Sequence, residues 1–252
     1  MRGQATTTSR RRRLPHARIR PHDWALLVAV TAAMLGLALL PWGHERWAAS
    51  AGAIALVAAV AARAWSQKYP GPMPHVGSWT LFMPRGPLSA THLKEVLQPR
   101  SGERILEVGP GVGIYSLPIA AALAPSGLLD VVDVQAEMLA DLLRRAEKAD
   151  IRNIVASHGD AQRLAYPEDM FDAAYLISVL GEIPDPAAAL RELRRVLKPA
   201  GRLVVGEFVI DPDFTSARRT RELAATAGFV LERTVGPRLA YFTLFRTEPV
   251  PV

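Results

Sequence analysis

Two hydrophobic patterns divide the chain. From Trp24 to Trp42, 19 residues pass without a charge, and after Gly43, His44, Glu45 and Arg46 a second uncharged run goes from Trp47 to Ala62, closed by Arg63 and Trp65. A helix rises 1.5 Å per residue, so the first run is roughly 28 Å long, about the hydrocarbon thickness of a bilayer. From residue 88 onward the pattern changes to short apolar runs bounded by turn residues, alternating with helical periodicity. Strands are expected at Arg104–Val108, Leu128–Val134, Ile154–His158, Ala173–Ser178 and Leu203–Phe208. Between the last two, Asp185 caps a helix with Pro186 in its first turn and Leu190, Leu193, Val196 and Leu197 on one face. A further helix around Arg218–Ala227 ends at Gly228, and two strands, Phe229–Val235 and Tyr241–Arg246, follow around a Gly236-Pro237 turn. Such alternation implies an α/β fold, a doubly wound Rossmann-like sheet with helices on both faces and a reversed C-terminal strand.

Charge sharpens the reading of the N-terminal part. Seven arginines and one acid lie in the first 24 residues, which leaves 23 basic against 23 acidic residues in the rest and puts the whole net charge of +6 in that arm. A basic arm ahead of the first run, with Arg63 and Lys68 after the second, favours a hairpin of two transmembrane helices whose flanks face the cytoplasm. Four of the five tryptophans (24, 42, 47 and 65) sit at the run ends, where an amphipathic ring prefers the headgroup region, and Ala51, Gly52, Ala55, Ala59 and Ala62 allow close helix packing. Two other readings remain open: a twin-arginine export signal beginning at Ser9-Arg10-Arg11, and a pair of buried helices in a soluble core. The organisation expected is a basic arm at 1–23, a membrane hairpin at 24–65, a Pro/Gly-rich linker at 66–87, a globular domain at 88–247 and a tail at 248–252. Trp79, Leu81, Phe82 and Met83 make the linker sticky, and it is open to three roles: spacer, membrane-surface belt, or flap over the following site.

Charge confined to one arm does not describe a nucleic-acid-binding face, so no nucleic-acid partner is expected. With no cysteine and six scattered histidines, neither disulfides, cysteine nucleophiles nor a metal site are expected. The chemistry instead gathers at Ile105-Leu106-Glu107-Val108-Gly109-Pro110-Gly111-Val112-Gly113, a strand running into a glycine-rich turn and then a helix. Glycines serve where the backbone bends tightly and a ligand approaches it closely. About 25 residues on, Asp133 ends the second strand, placed to accept hydrogen bonds from both hydroxyls of a ribose. A nicotinamide dinucleotide fingerprint requires a third glycine where this chain has Ile114, and spacing at 109, 111 and 113 with Glu107 upstream favours a ligand carrying an ammonium group.

Gly159-Asp160-Ala161, Phe171-Asp172 and the run Arg195-Val196-Leu197-Lys198-Pro199-Ala200-Gly201-Arg202-Leu203 complete four motifs in order. With them, residues 88–247 resemble the class I S-adenosylmethionine-dependent methyltransferases, in the group of ubiquinone/menaquinone C-methyltransferases and small-lipid N-methyltransferases. The resemblance implies S-adenosyl-L-methionine as cofactor, with Glu107, Gly109, Gly111 and Gly113 around its methionine part and Asp133 on the ribose. It places Val134 and Met138 beside the adenine, Asp160 and Ala161 at the adenine edge, and Ser178 and Val179 on the methyl-transfer face. Structural alternatives stand beside these roles: a plain strand-to-helix turn for the glycines, a helix cap for Asp133, a turn for Asp160 and core packing for Met138. Tyr115 and Glu182 are candidates beside the acceptor, Tyr115 equally a packing residue and Glu182 equally a helix-end partner. A membrane tether points to a lipophilic acceptor such as a quinone, isoprenoid or lipid headgroup. An NAD(P)-linked oxidoreductase and a non-catalytic S-adenosylmethionine-binding membrane protein are the alternatives.

Overall fold

A computed structural model describes residues 45–82 and 85–247. The first apolar run, 24–42, and the first of the two expected spans lie outside the described residues. The second run forms helix α1, Glu45–Lys68, which continues past Ala62 through Arg63 and Trp65. Its stretch Ala49–Lys68 has a mean hydropathy of 1.4, and among the described residues it is the one helix long and apolar enough to cross a membrane. Ile54, Leu56, Val57 and Val60 are exposed along it.

The domain is built on seven strands: β1 (Arg104–Val108), β2 (Leu128–Asp133), β3 (Ile154–His158), β4 (Phe171–Ile177), β5 (Leu197–Phe208), β6 (Phe229–Val235) and β7 (Ala240–Thr247). Their order is β3-β2-β1-β4-β5-β7-β6; β1 to β5 are parallel, and β7 runs antiparallel to both of its neighbours. Period-two alternation sends Leu106, Leu176, Leu203 and Phe245 into one apolar cluster and Ile105, Tyr175, Val204 and Leu244 into another, one for each face of the sheet. Helices α2 (Ala90–Leu97), α3 (Ser116–Leu123) and α4 (Ala136–Lys148) supply Leu93, Ile119 and Leu142 to the second cluster. Helices α5 (Pro186–Val196) and α6 (Ala217–Thr226) supply Leu190, Leu193 and Leu223 to the first. Chain order reverses between β1 and β4, and in such sheets ligands bind outside the carboxyl ends of the strands at that switch point.

β5 begins at Leu197, six residues before the position expected from sequence. Leu197 pairs with Phe171 and Arg202 with Ala173, so Lys198–Gly201 bulge out between them, and Ala200 takes φ +59°. That bulge carries the Pro-Ala-Gly sequence, which locally has the chemistry of a loop.

The last turns of α1 dock on the domain. Ala62 and Ser66 are fully buried, and Arg63 donates to the carbonyls of Val209 and Phe214 at 3.5 and 3.4 Å while lying 5.4 Å from the Phe214 ring centre. Ser66 Oγ donates to the Asp213 carboxylate. The apolar helix is therefore joined directly to the loop between β5 and α6, and a freely solvated spacer does not separate them.

Candidate active site

The predicted residues emerge from four adjacent carboxyl ends. Glu107 is the penultimate residue of β1 and Asp133 the last of β2, while Asp160 and Ala161 follow β3 and Ser178 and Val179 follow β4. Past β1 the turn needs its glycines for conformation as well as for space. Gly109, Gly111 and Gly113 take φ of +67°, +53° and +85°, where a side chain is strained, and a Cβ on Gly109 would come within 2.5 Å of Val179. Gly109 N–H donates to the Val132 carbonyl at 2.9 Å, which ties the turn to the end of β2.

Glu107 is buried and accepts a 2.5 Å hydrogen bond from Ser116 Oγ; burial nonetheless pushes its pKa up to about 7. Asp133 accepts from the Gln135 N–H at 2.9 Å. Burial raises its pKa to about 6, opposed by the nearby N–H groups of Gln135, Gly111 and Val134 and by His158. Both acids hold a proton more tightly in the folded chain than in the unfolded one. Their contribution to stability is thus complete below about pH 4 and is lost as pH rises through about 6 and 7. The thermal midpoint of the ligand-free protein is expected to fall between pH 5 and 8, and Glu107→Gln to shallow that fall; an identical pH profile for the variant would contradict the assignment.

The other predicted residues differ in how they meet this site. Val134 is exposed and its carbonyl lies 2.9 Å from His158 Nε2, whereas Met138 is buried on α4. Asp160 is exposed and accepts from Gln162 N and Nε2 at 2.9 and 3.0 Å; Ala161 is buried. Ser178 takes φ +56°, with its N–H on the Gly206 carbonyl at 2.8 Å, and its buried Oγ lies close to Asp211. Tyr115 is buried and its hydroxyl donates to the Leu88 carbonyl at 2.6 Å, a packing contact. The Glu182 carboxyl is pushed well above the usual range, first by burial and then by Asp211, Asp213 and Asp133, with a contact from the Met73 backbone opposing.

Residues 69–82 supply what the motifs did not indicate. Gln135 Nε2 donates to the Met73 carbonyl at 2.8 Å, His75 Nε2 lies 3.0 Å from Asp141 Oδ2, and Arg145 lies 4.9 Å from the Phe82 ring centre. Leu81 reaches the glycine turn itself: a Cβ on Gly111 would sit 2.9 Å from its Cδ1. These contacts lay the segment against the glycine turn and α4. Its apolar residues amid prolines were the available signal, as was Asp211-Pro212-Asp213 just past β5.

The chemistry of the donor set fits an adenosyl sulfonium ligand. Two desolvated carboxylates offer acceptors to hydroxyl and ammonium groups, and the positive-φ glycine turn brings bare backbone beside them.

Comparison with known proteins agrees. Residues 106–205, which contain every predicted cofactor-contacting residue, match the family described as "Methyltransferase domain". The chain is 33% identical over 138 residues to 27-O-demethylrifamycin SV methyltransferase of Amycolatopsis mediterranei, covering 52% of this chain and 49% of that protein. It is 36% identical over 110 residues to a ubiquinone/menaquinone biosynthesis C-methyltransferase of Cellvibrio japonicus, covering 43% and 44%. The chain therefore spans about half the length of the curated relatives it matches. The fold is shared with a SAM-dependent methyltransferase from Aquifex aeolicus at a TM-score of 0.64 and 19% identity, over 69% of this chain and 98% of that one.

Proposed function

We propose, on the premise that residues 106–205 form a class I S-adenosylmethionine-dependent methyltransferase domain, that the chain moves a methyl group from S-adenosylmethionine to a small lipophilic acceptor at a membrane surface. The observation that carries the reaction is the positive-φ turn Gly109-x-Gly111-x-Gly113 beside the desolvated Asp133 carboxylate. The cofactor brings its own electrophilic methyl on sulfur, so no side chain is required as a nucleophile. Asp133 accepts from the ribose hydroxyls, and Glu107 with the glycine turn holds the methionine part. Val134 and Met138 flank the adenine, and Asp160 and Ala161 meet its edge. Ser178 and Val179 line the face on which the acceptor stands. The flap, through Leu81, Met73 and His75, excludes water from the site. Burial, and then the neighbouring Asp211, Asp213 and Asp133, hold the Glu182 carboxyl well above the usual carboxylate range, so it keeps a proton more tightly than a free carboxyl does.

Support for a lipophilic acceptor comes from the apolar helix α1 and from the relatives, whose names give a quinone pathway and a rifamycin as their targets. In this reading α1 and the run 24–42 form an in-out-in hairpin, with the domain on the cytoplasmic side where the arginine arm lies. A hairpin docked on the domain holds the site close to the bilayer, where lipid-dissolved acceptors are concentrated.

Thermal shift of the full-length protein in detergent tests the cofactor. At about 100 times its dissociation constant S-adenosylmethionine contributes about 2.7 kcal/mol, which raises the midpoint by roughly 8 °C. NAD and NADP are expected to leave it unchanged; stabilisation by either of them, with none by S-adenosylmethionine, overturns the proposal.

A further inference from the structure

We propose that the cleft between the end of α1 and the loop preceding α6 binds the phosphate of a membrane phospholipid headgroup. The inference rests on the reading of α1 as a membrane span and adds a specific ligand site to it. The cleft has a volume of about 370 Å³ and takes Arg63 and Gln67 from α1, Thr215 and Ser216 from the loop, and Arg219 from the first turn of α6. A guanidinium fork matches the oxygens of a phosphate; Arg219 presents one to the cleft, and Arg63, held by the Val209 and Phe214 carbonyls, adds its positive charge to the same wall.

Arg219 is largely exposed, its nearest carboxylate being Glu222 at 3.8 Å, a separation at which a solvated pair holds little. The Gln67 amide and the Thr215 hydroxyl have no hydrogen-bond partner among the described residues and are free to donate. Ser216 caps the ten-residue α6, so the amino end of that helix borders the cleft and adds positive potential. One acid, Asp213, also lines it, its carboxylate accepting from Ser66 Oγ, and it stands against the two guanidiniums of Arg63 and Arg219.

Depth in the bilayer selects the ligand. The uncharged stretch Trp47–Ala62 is 16 residues, about 24 Å of helix, and Arg63 is the next residue, at the level where hydrocarbon gives way to headgroups. Lys68 and the exposed aromatics Trp65 and Tyr69 follow at the same end. Gly181 shares the cleft, so a headgroup held there sits one residue from Glu182 and fixes the acceptor side of the domain against the bilayer.

The test uses the full-length protein in phosphatidylcholine nanodiscs containing a minor fraction of phosphatidylglycerol, with lipid retained per protein counted by native mass spectrometry. Arg219→Glu is expected to lower retained phosphatidylglycerol about tenfold, because it reverses a charge-assisted contact to phosphate. That variant places glutamate three residues after the Ser216 cap, a favourable helix-start arrangement, so the fold is kept. Lys148→Glu, the same charge reversal on an exposed residue at the far end of α4, is expected to leave retention unchanged. Equal retention in the two variants overturns the site while leaving the membrane reading intact. Failure of the wild-type chain to float with pure phosphatidylcholine vesicles overturns the membrane reading and the site with it. Equal thermal protection by millimolar inorganic phosphate in lipid-free micelles assigns the cleft to free phosphate and overturns the lipid assignment.

Discussion

Asp133→Ala is expected to weaken S-adenosylmethionine binding about 100-fold, as measured by isothermal titration calorimetry, because two charge-assisted hydrogen bonds to the ribose are lost. The native carboxylate is held at the end of β2 by the Gln135 N–H, and burial has already raised its pKa to about 6. It lacks enough donors until a diol arrives, so the loss falls on the bound state. Removing a poorly solvated charge does not weaken the ligand-free fold at neutral pH, and the variant's melting point without ligand is expected to equal or exceed that of the parent. Asp133→Asn, which keeps one acceptor oxygen, is expected to lie in between at about 10-fold. Full affinity in the alanine variant would mean that Asp133 caps the next segment and does not hold the ribose.

Gly181→Ala is expected to destabilise the domain by about 3 kcal/mol, at the upper end of the cost of overpacking, and to lower the melting midpoint by roughly 10 °C. A Cβ at Gly181 would stand 1.8 Å from the Asp213 carbonyl oxygen and 2.8 Å from its carbon, both backbone atoms that cannot turn aside. The loop between β5 and α6 must move, and with it go the Arg63 contacts to Val209 and Phe214 and the Ser66–Asp213 contact that dock α1. Proteolysis within residues 66–74 is expected to accelerate in parallel. Gly159→Ala serves as the control, since its nearest neighbour would be Val132 Cγ1 at an ordinary 3.5 Å. An unchanged midpoint for Gly181→Ala would mean that the loop does not lie against Gly181 as described.

What was legible in the sequence was local. The edges of β1, β3 and β6 follow from apolar runs between turn residues, and the Asp185 cap appears as its side chain accepting from Ala188 N–H at 2.9 Å. The glycine turn and Asp133 were visible because each stands at a strand's carboxyl end, where a parallel sheet gathers such residues without further instruction. What was not legible depends on contacts between distant segments. Nothing near Met73 announces Gln135, 62 residues away, and nothing near Ser66 announces Asp213, so a stretch with the composition of a linker makes contacts with the domain that its own sequence does not show. The Lys198–Gly201 bulge was hidden for a different reason: a loop-like sequence is carried inside a strand because Leu197 and Arg202 both find partners on β4. Tyr115 shows the limit of position alone, since its place next to the glycine turn is shared by a hydroxyl that donates to Leu88.

Transfer of labelled methyl from S-adenosylmethionine tests the central claim most directly, with detergent-purified full-length protein, a total lipid extract of the source membranes, and organic and aqueous phases counted separately. Label is expected in the organic phase, dependent on enzyme and abolished by Asp133→Ala. Cofactor binding with no label in the organic phase would contradict a lipophilic acceptor.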